Sequence, residues 1–325
     1  MGSEVQRQRL KQKELVAALF VLFSEEYDRR GADTIFDIEL PLCDVRSHLR
    51  AKVGVEYTSD AWIYTQIHKY EEEIGVALFR RAEIPGNGTS LGVARDIRAY
   101  AQKQHLYVTQ KIKVANGILD LIHNERERDG GKGPISLLLG AGSTVTRLAE
   151  AIAERLSTLP YTWRIATHNL GVIQALGGSW PHHERVELFV PEGKVDPVTN
   201  IILGRNEELY GRMTFDWAVQ GTSFLKEGAL YVESEEETRV KAAIPRKATG
   251  RKVLVLTGHE TAAAIPVATE SFGRIGDYDF IVLPRAARER DVVSRFDLAI
   301  RELGDVIEPW VLNWNYEIFR SRRGG

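Results

Sequence analysis

Residues 135–156 read ISLLLGAGSTVTRLAEAIAERL, and the fold turns on this stretch. Ile135–Leu139 is an apolar run of strand length. Gly140-Ala141-Gly142-Ser143-Thr144 interrupts it, and Val145–Leu156 then carries helical spacing. Strand, glycine turn and helix in succession open a parallel α/β unit. The pattern continues outward through a strand at Thr162–Ala166, a helix over Leu170–Leu176 and a strand at Val186–Val190. Strands at Trp217–Gln220 and Val253–Thr257 bracket a helix from about Glu235 to Ala243. A strand at Phe280–Leu283, a helix from about Ala286 to Leu303 and a tryptophan-rich tail follow, and the pattern assigns residues 266–325 no role. The fold class expected for residues 134–325 is therefore a Rossmann-like, parallel-sheet α/β domain.

The chain has 325 residues, enough for two domains, with 43% hydrophobic and 27% charged residues. Its single cysteine, Cys43, rules out an intrachain disulfide and a cysteine-rich metal site, and points to a reducing cytoplasm. At helix two, Cys43 is expected as a small core residue. The apolar run Leu15–Phe23 follows four basic residues, but Ser24-Glu25-Glu26 ends it well short of a membrane span, so a buried helix is expected and no membrane partner. The formal net charge of −2 gives no bulk sign of nucleic-acid binding, which must then rest on a local patch.

Upstream, three helices are predicted: about Lys11–Arg30, Leu42–Val53, and one opening at Ser59 with Ile63, Ile67, Tyr70 and Ile74 on its apolar face and Gly75 at its end. Ala77–Arg81 and Thr89–Leu91 flank Pro85-Gly86-Asn87-Gly88, a hairpin signal. Two helices joined by a tight turn and followed by a hairpin make a winged helix-turn-helix, expected over residues 1–91. After Gly92 a long linker helix is predicted to about Asn124. Ala101, His105, Val108, Ile112, Ala115, Leu119 and Ile122 form a coiled-coil-like seam on it, and residues 92–133 are read as a dimerising linker with a charged, glycine-rich end at Glu125–Gly133. A homodimer or homotetramer is expected from that seam.

The segment Ser59–Arg81, with Glu73-Ile74-Gly75-Val76 and Leu78-Phe79-Arg80-Arg81, resembles the recognition helix and wing of LysR-type regulators. The apolar face points inward, which leaves Ala61, Tyr64, Thr65, His68 and Lys69 toward double-stranded DNA, with Lys69, Arg80 and Arg81 toward phosphates. Farther on, the glycine turn at 140–144, Thr167 and Asn169, the Gly193 turn, Phe215-Asp216-Trp217-Ala218 and Val240-Lys241 occur in an order that resembles the effector-sensing domain of DeoR-type transcriptional regulators. Those regulators share their fold with ribose-5-phosphate isomerases and glucosamine-6-phosphate deaminases. The resemblance implies a small anionic, phosphorylated metabolite held by Gly142, Ser143, Thr144, Thr167, Asn169, Gly193 and Lys241. A helix N-terminus after a small-residue turn suits an anion independently of any family. The sequence departs from that family at Thr257-Gly258-His259-Glu260, where relatives carry an aspartate and a Ser-Lys pair.

Catalysis is not expected. The segment after Gln220 reads Gly221-Thr222-Ser223-Phe224, without the carboxylate that a proton-moving isomerase needs, and Glu235–Glu237 read as a solvated first turn of a helix. Pro181-His182-His183-Glu184 lacks metal-ligand spacing, so no metal and no cofactor is assigned. The reading is a ligand-responsive, DNA-binding transcriptional regulator. Its rivals are an enzyme of the isomerase and deaminase fold, and a LysR-type regulator with a two-lobed periplasmic-binding-type sensor.

Overall fold

The computed structural model describes residues 10–57, 59–84, 88–97, 99–178, 183–247, 250–261, 270–285 and 294–322. They form two units, the first up to Thr109 and the second from Gln110 onward.

In the first unit, helix α1 (Gln12–Arg30) buries Leu15, Leu19, Phe20, Phe23 and Tyr27, one face of an amphipathic helix. Strand β1 (Glu39–Pro41) leads into α2 (Leu42–His48), which continues as a wider turn over Leu49–Val53 before Gly54. Helix α3 (Asp60–Ile74) buries Ile63, Ile67 and Tyr70 as its spacing requires; Ser59 stands at the N-cap without a side-chain capping bond. Strands β2 (Phe79–Ile84) and β3 (Gly88–Val93) form the hairpin, and β1 joins β3 to complete a three-stranded antiparallel sheet. The hairpin tip, Pro85-Gly86-Asn87, lies outside the described residues. Cys43 is exposed, not a core residue, because it falls one position off the Leu42, Val45 and Leu49 stripe.

The predicted continuous helix after Gly92 does not form. A short helix α4 (Tyr100–Lys103) ends in a turn where Tyr107 takes φ 50°, and α5 (Val108–Asp129) starts afresh. His105 stacks on Phe20 at 5.2 Å, inside the first unit. Ala115, Leu119 and Ile122 lie in the core of the second unit beside Val114 and Ile118, whereas Ile112 is 47% exposed. The later half of the seam, Ala115, Leu119 and Ile122, is therefore filled by the protein's own core and is not open to a second chain. Glu125–Asp129, read as linker, is the last turn of α5: Glu125 and Asp129, four residues apart, pair with Arg251 at 3.4 and 3.0 Å.

The second unit is an α/β domain. In chain order it comprises β4 (Ile135–Leu139), α6 (Ser143–Arg155), β5 (Trp163–Thr167), α7 (Leu170–Gly177), β6 (Val186–Phe189), β7 (Gly193–Asp196), β8 (Ile201–Gly204) and α8 (Asn206–Arg212). There follow β9 (Trp217–Gly221), β10 (Phe224–Lys226), β11 (Ala229–Tyr231), α9 (Glu235–Lys247), β12 (Arg251–Val255), β13 (Gly273–Arg274), β14 (Phe280–Pro284), α10 (Arg295–Arg301), β15 (Ile307–Leu312) and β16 (Tyr316–Ser321). The eight-stranded sheet runs β15-β16-β14-β12-β9-β4-β5-β6. Its six strands from β14 to β6 are parallel, and β16 and β15 add an antiparallel hairpin at the edge. The tryptophan-rich tail is thus sheet, and Tyr316 at its start donates to Asp120 of α5 at 2.7 Å. Helices α5, α6 and α7 bury one face; Tyr210 of α8 and Ile244 of α9 pack against the other. One eight-stranded sheet forms the body of the unit, with β7-β8 and β10-β11-β13 as small additional sheets, unlike the two lobes of a periplasmic-binding-type sensor. Among the described residues no helix is long and apolar enough to cross a membrane.

Because Ile118 is fully buried and Ile112 half exposed on the same helix, Ile118→Ala should cost about 2–5 kcal/mol in urea unfolding while Ile112→Asp changes stability by no more than about 0.5 kcal/mol. A loss on Ile112→Asp as large as that on Ile118→Ala would overturn this packing of α5.

Candidate functional site

Counting parallel strands outward from the first, the order is 3-2-1-4-5-6, and the winding direction reverses between β4 and β9. In open α/β sheets the crevice beyond the C-terminal ends of those two strands is where ligands bind, since the loops there diverge. The turn after β4 lies at that point. Gly140 donates its N–H to Val219 O at 2.8 Å, and a Cβ there would stand 2.8 Å from the Gln220 Cβ, so no other residue fits. Gly142 takes φ 118°, ψ 154°, a conformation open in practice only to glycine. The chain then enters α6, whose first turn brings the positive pole of the helix dipole to the crevice end.

Side chains from the next strand hold this turn. Thr167 Oγ1 donates to Leu139 O at 2.7 Å and accepts from Asn169 N at 3.0 Å. Asn169 Nδ2 donates to Gly140 O and Gly142 O at 3.2 and 3.1 Å, while its Oδ1 caps α7 by accepting from Gly171 N at 3.0 Å. Both side chains are buried and spend their polar atoms on backbone. Lys241 approaches from α9. Its ammonium, 2% exposed, donates to Gly221 O at 2.7 Å and Ala141 O at 3.3 Å, one carbonyl from each side of the crevice, and pairs with Glu237 at 3.7 Å. Gly193 is not gathered with the rest: it pairs with Gly204 at the end of the β7–β8 hairpin, whereas Asn169 bridges Ile201 at the other end.

Beneath the crevice lie further buried polar groups. His168 Nδ1 hydrogen-bonds with the Tyr210 hydroxyl at 2.5 Å, and its Nε2 has no partner among the described residues. Burial, and then the nearby Lys241 charge, push the His168 pKa down to about 3, so the ring is neutral. Burial raises the Tyr210 hydroxyl. Gln220 Nε2 donates to the Tyr278 hydroxyl. After β12, Glu260 accepts from Thr257 N and Oγ1 at 2.6 and 3.0 Å; burial lifts its pKa to about 7 against the opposing pull of those bonds and of Lys111. Among the described residues no group of three or more His, Cys, Asp or Glu could hold a metal ion, and Pro181-His182 lies outside them.

A family model for the DeoR C-terminal sensor domain matches residues 107–282. The chain belongs to that family. The match opens at Tyr107, so the DeoR-type sensor includes α5 as well as the sheet from β4 to β14. No curated protein matches. Solved structures that resemble the chain include ribose 5-phosphate isomerase A from Methanocaldococcus jannaschii, at 14% identity over 65% of this chain and 77% of that one, with a TM-score of 0.31. A D-ribose-5-phosphate isomerase in complex with phospho-erythronic acid follows at 12% identity, the same coverage of 65% and 77%, and a TM-score of 0.31.

Of the sequence-predicted residues, the DeoR-type sensor brings Gly142, Ser143, Thr144, Thr167, Asn169 and Lys241 to one edge. Glu237, taken for part of a solvated turn, is buried against Lys241, although Glu235 and Glu236 are exposed as expected. His168 went unassigned between Thr167 and Asn169, though its place at the end of a buried strand was a usable signal. Tyr210, Gln220 and Tyr278 gave none, because their polar atoms meet only through the sheet.

Two measurements bear on this arrangement. Lys241→Met removes the positive charge beside the buried Glu237 and should cost about 3–5 kcal/mol, and Lys241→Met/Glu237→Leu should recover much of that loss; equal losses would show that the pair is not coupled. For His168 the folded pKa of about 3 lies below the ordinary 6.5, so its contribution to stability is full above pH 6.5 and is lost as pH falls toward 3. Glu260 acts oppositely: with its folded pKa near 7, above the ordinary 4.5, its contribution is full below pH 4.5 and lost as pH rises through 7. Relative to His168→Gln, the wild type should lose about 2 kcal/mol between pH 7 and pH 5; parallel pH profiles would contradict a buried neutral His168.

Proposed function

We propose that this chain is a transcriptional regulator whose sensor takes a small anionic, phosphorylated metabolite and whose N-terminal unit is a winged helix that reads double-stranded DNA. The observation that carries the sensor half is the convergence, at the point where the sheet reverses its winding, of a glycine turn and the N-terminus of α6. A phosphate there accepts from the N–H groups of the first turn and from Ser143 and Thr144. Thr167, Asn169 and Lys241 act one layer behind, by holding the turn's carbonyls away from the anion. Binding without turnover is favoured by the state of the carboxylates. Glu237 is paired with Lys241, Glu260 is enclosed by Thr257, and the turn Gly221-Thr222-Ser223 offers no base.

For the DNA half, Ala61, Thr65, His68 and Lys69 lie exposed together on the face of α3 opposite Ile63, Ile67 and Tyr70. Tyr64 is half-buried, donates to Ser90 O of the hairpin at 2.9 Å, and supports the Arg81 guanidinium 5.0 Å above its ring. That guanidinium is positioned to meet a phosphate as the helix enters the groove. Arg80 is otherwise engaged, with Glu39 at 2.6 Å and Phe36 O at 3.3 Å, and serves the sheet.

Full-length protein should select a preferred sequence from random duplexes. Arg81→Ala should weaken every duplex alike and lower the salt slope by about one, while Thr65→Ala should relax preference at individual base pairs by about 1–3 kcal/mol. Absence of any preferred duplex, with or without sugar phosphates present, would refute the regulator reading.

A further inference from the structure

We propose that residues 107–111 are a joint through which the loop Thr257–Glu260 at the sensor edge acts on the N-terminal unit. The inference rests on the regulator reading above and adds the route by which the two functions communicate. Its basis is a change of allegiance along five consecutive residues. Tyr107 is buried in the first unit, and its hydroxyl accepts from Ile35 N at 3.1 Å. Thr109 Oγ1 hydrogen-bonds with Ser24 Oγ of α1 at 2.5 Å, again within the first unit. The very next residue, Gln110, is 1% exposed and accepts from Gly258 N at 2.8 Å, within the second. Lys111, equally enclosed, is the charge that acts on Glu260.

Thr109 and Gln110 are successive residues of one helix, so neither can shift far without the other. On the sensor side the loop is closed by its own hydrogen bonds. Glu260 closes it onto Thr257, and its carbonyl accepts from Leu225 N at 2.9 Å. Leu225 lies in β10, directly after the Gly221–Ser223 turn whose first carbonyl holds Lys241. A ligand that displaces that turn thus moves Leu225, then Glu260, then the Gly258 N–H. This donor is buried and is left unsatisfied unless Gln110 follows. The part of the sequence where this chain departs from DeoR-type relatives, Thr257-Gly258-His259-Glu260, is then the part that addresses α5.

Hydrogen exchange of the full chain tests the joint without knowledge of the ligand. Gln110→Ala should speed exchange about tenfold, the equivalent of one net hydrogen bond, both in residues 257–261 and in residues 108–113. Gln110→Glu, which keeps the acceptor, should restore both. Thr109→Val, a change on the opposite side of the joint, should also raise exchange in 257–261, and provides the reading should Gln110→Ala fold poorly. Acceleration confined to the substituted side in these variants overturns the joint. With inorganic phosphate as the probe, the wild type should change exchange at 140–146, 257–261 and 108–113 together. A response at 140–146 alone overturns the joint and leaves the phosphate site standing, whereas no response anywhere overturns that site and the joint with it.

Discussion

One buried ammonium bridges the two sides of the sensor crevice. Lys241 reaches the carbonyls of Ala141, in the turn just after β4, and of Gly221, the last residue of β9, one from each side of the crevice. Parallel strands diverge beyond their last ladder bond at such a switch point, and their terminal carbonyls would face each other across a gap with nothing between them. A cation between those carbonyls offsets the repulsion, and its own desolvation is tolerable because Glu237 stands 3.7 Å away. The ammonium thereby ties the Gly140–Thr144 turn to the Gly221–Ser223 turn, beside the Thr167 and Asn169 bonds that hold the first of them.

The surrounding polar groups show the same economy. Thr167 and Asn169 tie backbone to backbone, and Asn169 fastens the turn after β4 to the first turn of α7. Electrostatics below the crevice are kept neutral: His168 is uncharged because a second cation beside Lys241 in a dry interior would be too costly. The crevice therefore presents its positive character through N–H groups and a helix dipole, in a manner suited to a phosphate that arrives with charge of its own.

The first unit and the sensor are joined by a helix that the chain uses twice. Its apolar positions Ala115, Leu119 and Ile122 complete the sensor core, and its start carries the side chains that bond within the first unit. Apolar residues at spacings of three and four fit a coiled coil and a sheet-packed helix equally well, because both ask only for one apolar stripe. Ala115, Leu119 and Ile122 separate the two, since a seam would leave them uncovered on a single chain and here they are buried in the sensor core.

What the sequence by itself determined is the succession of elements and the face each would bury. The strand, glycine turn and helix at 135–156, the stripe Ile63, Ile67 and Tyr70, and the hairpin of the first unit were all readable, because periodicity and turn chemistry are local properties. The placement of Ser143, Thr144, Thr167 and Asn169 at one edge was legible for the same reason, as polar residues at or just past the ends of apolar strands. Only the tertiary structure decided that Lys241 faces two carbonyls, that Glu237 is buried while Glu235 and Glu236 are not, that Tyr210 meets His168, and that Gln110 serves Gly258. Each of those contacts joins residues whose encounter is set by strand order and by where a helix docks on the sheet. Neither leaves a periodic trace in the residues themselves.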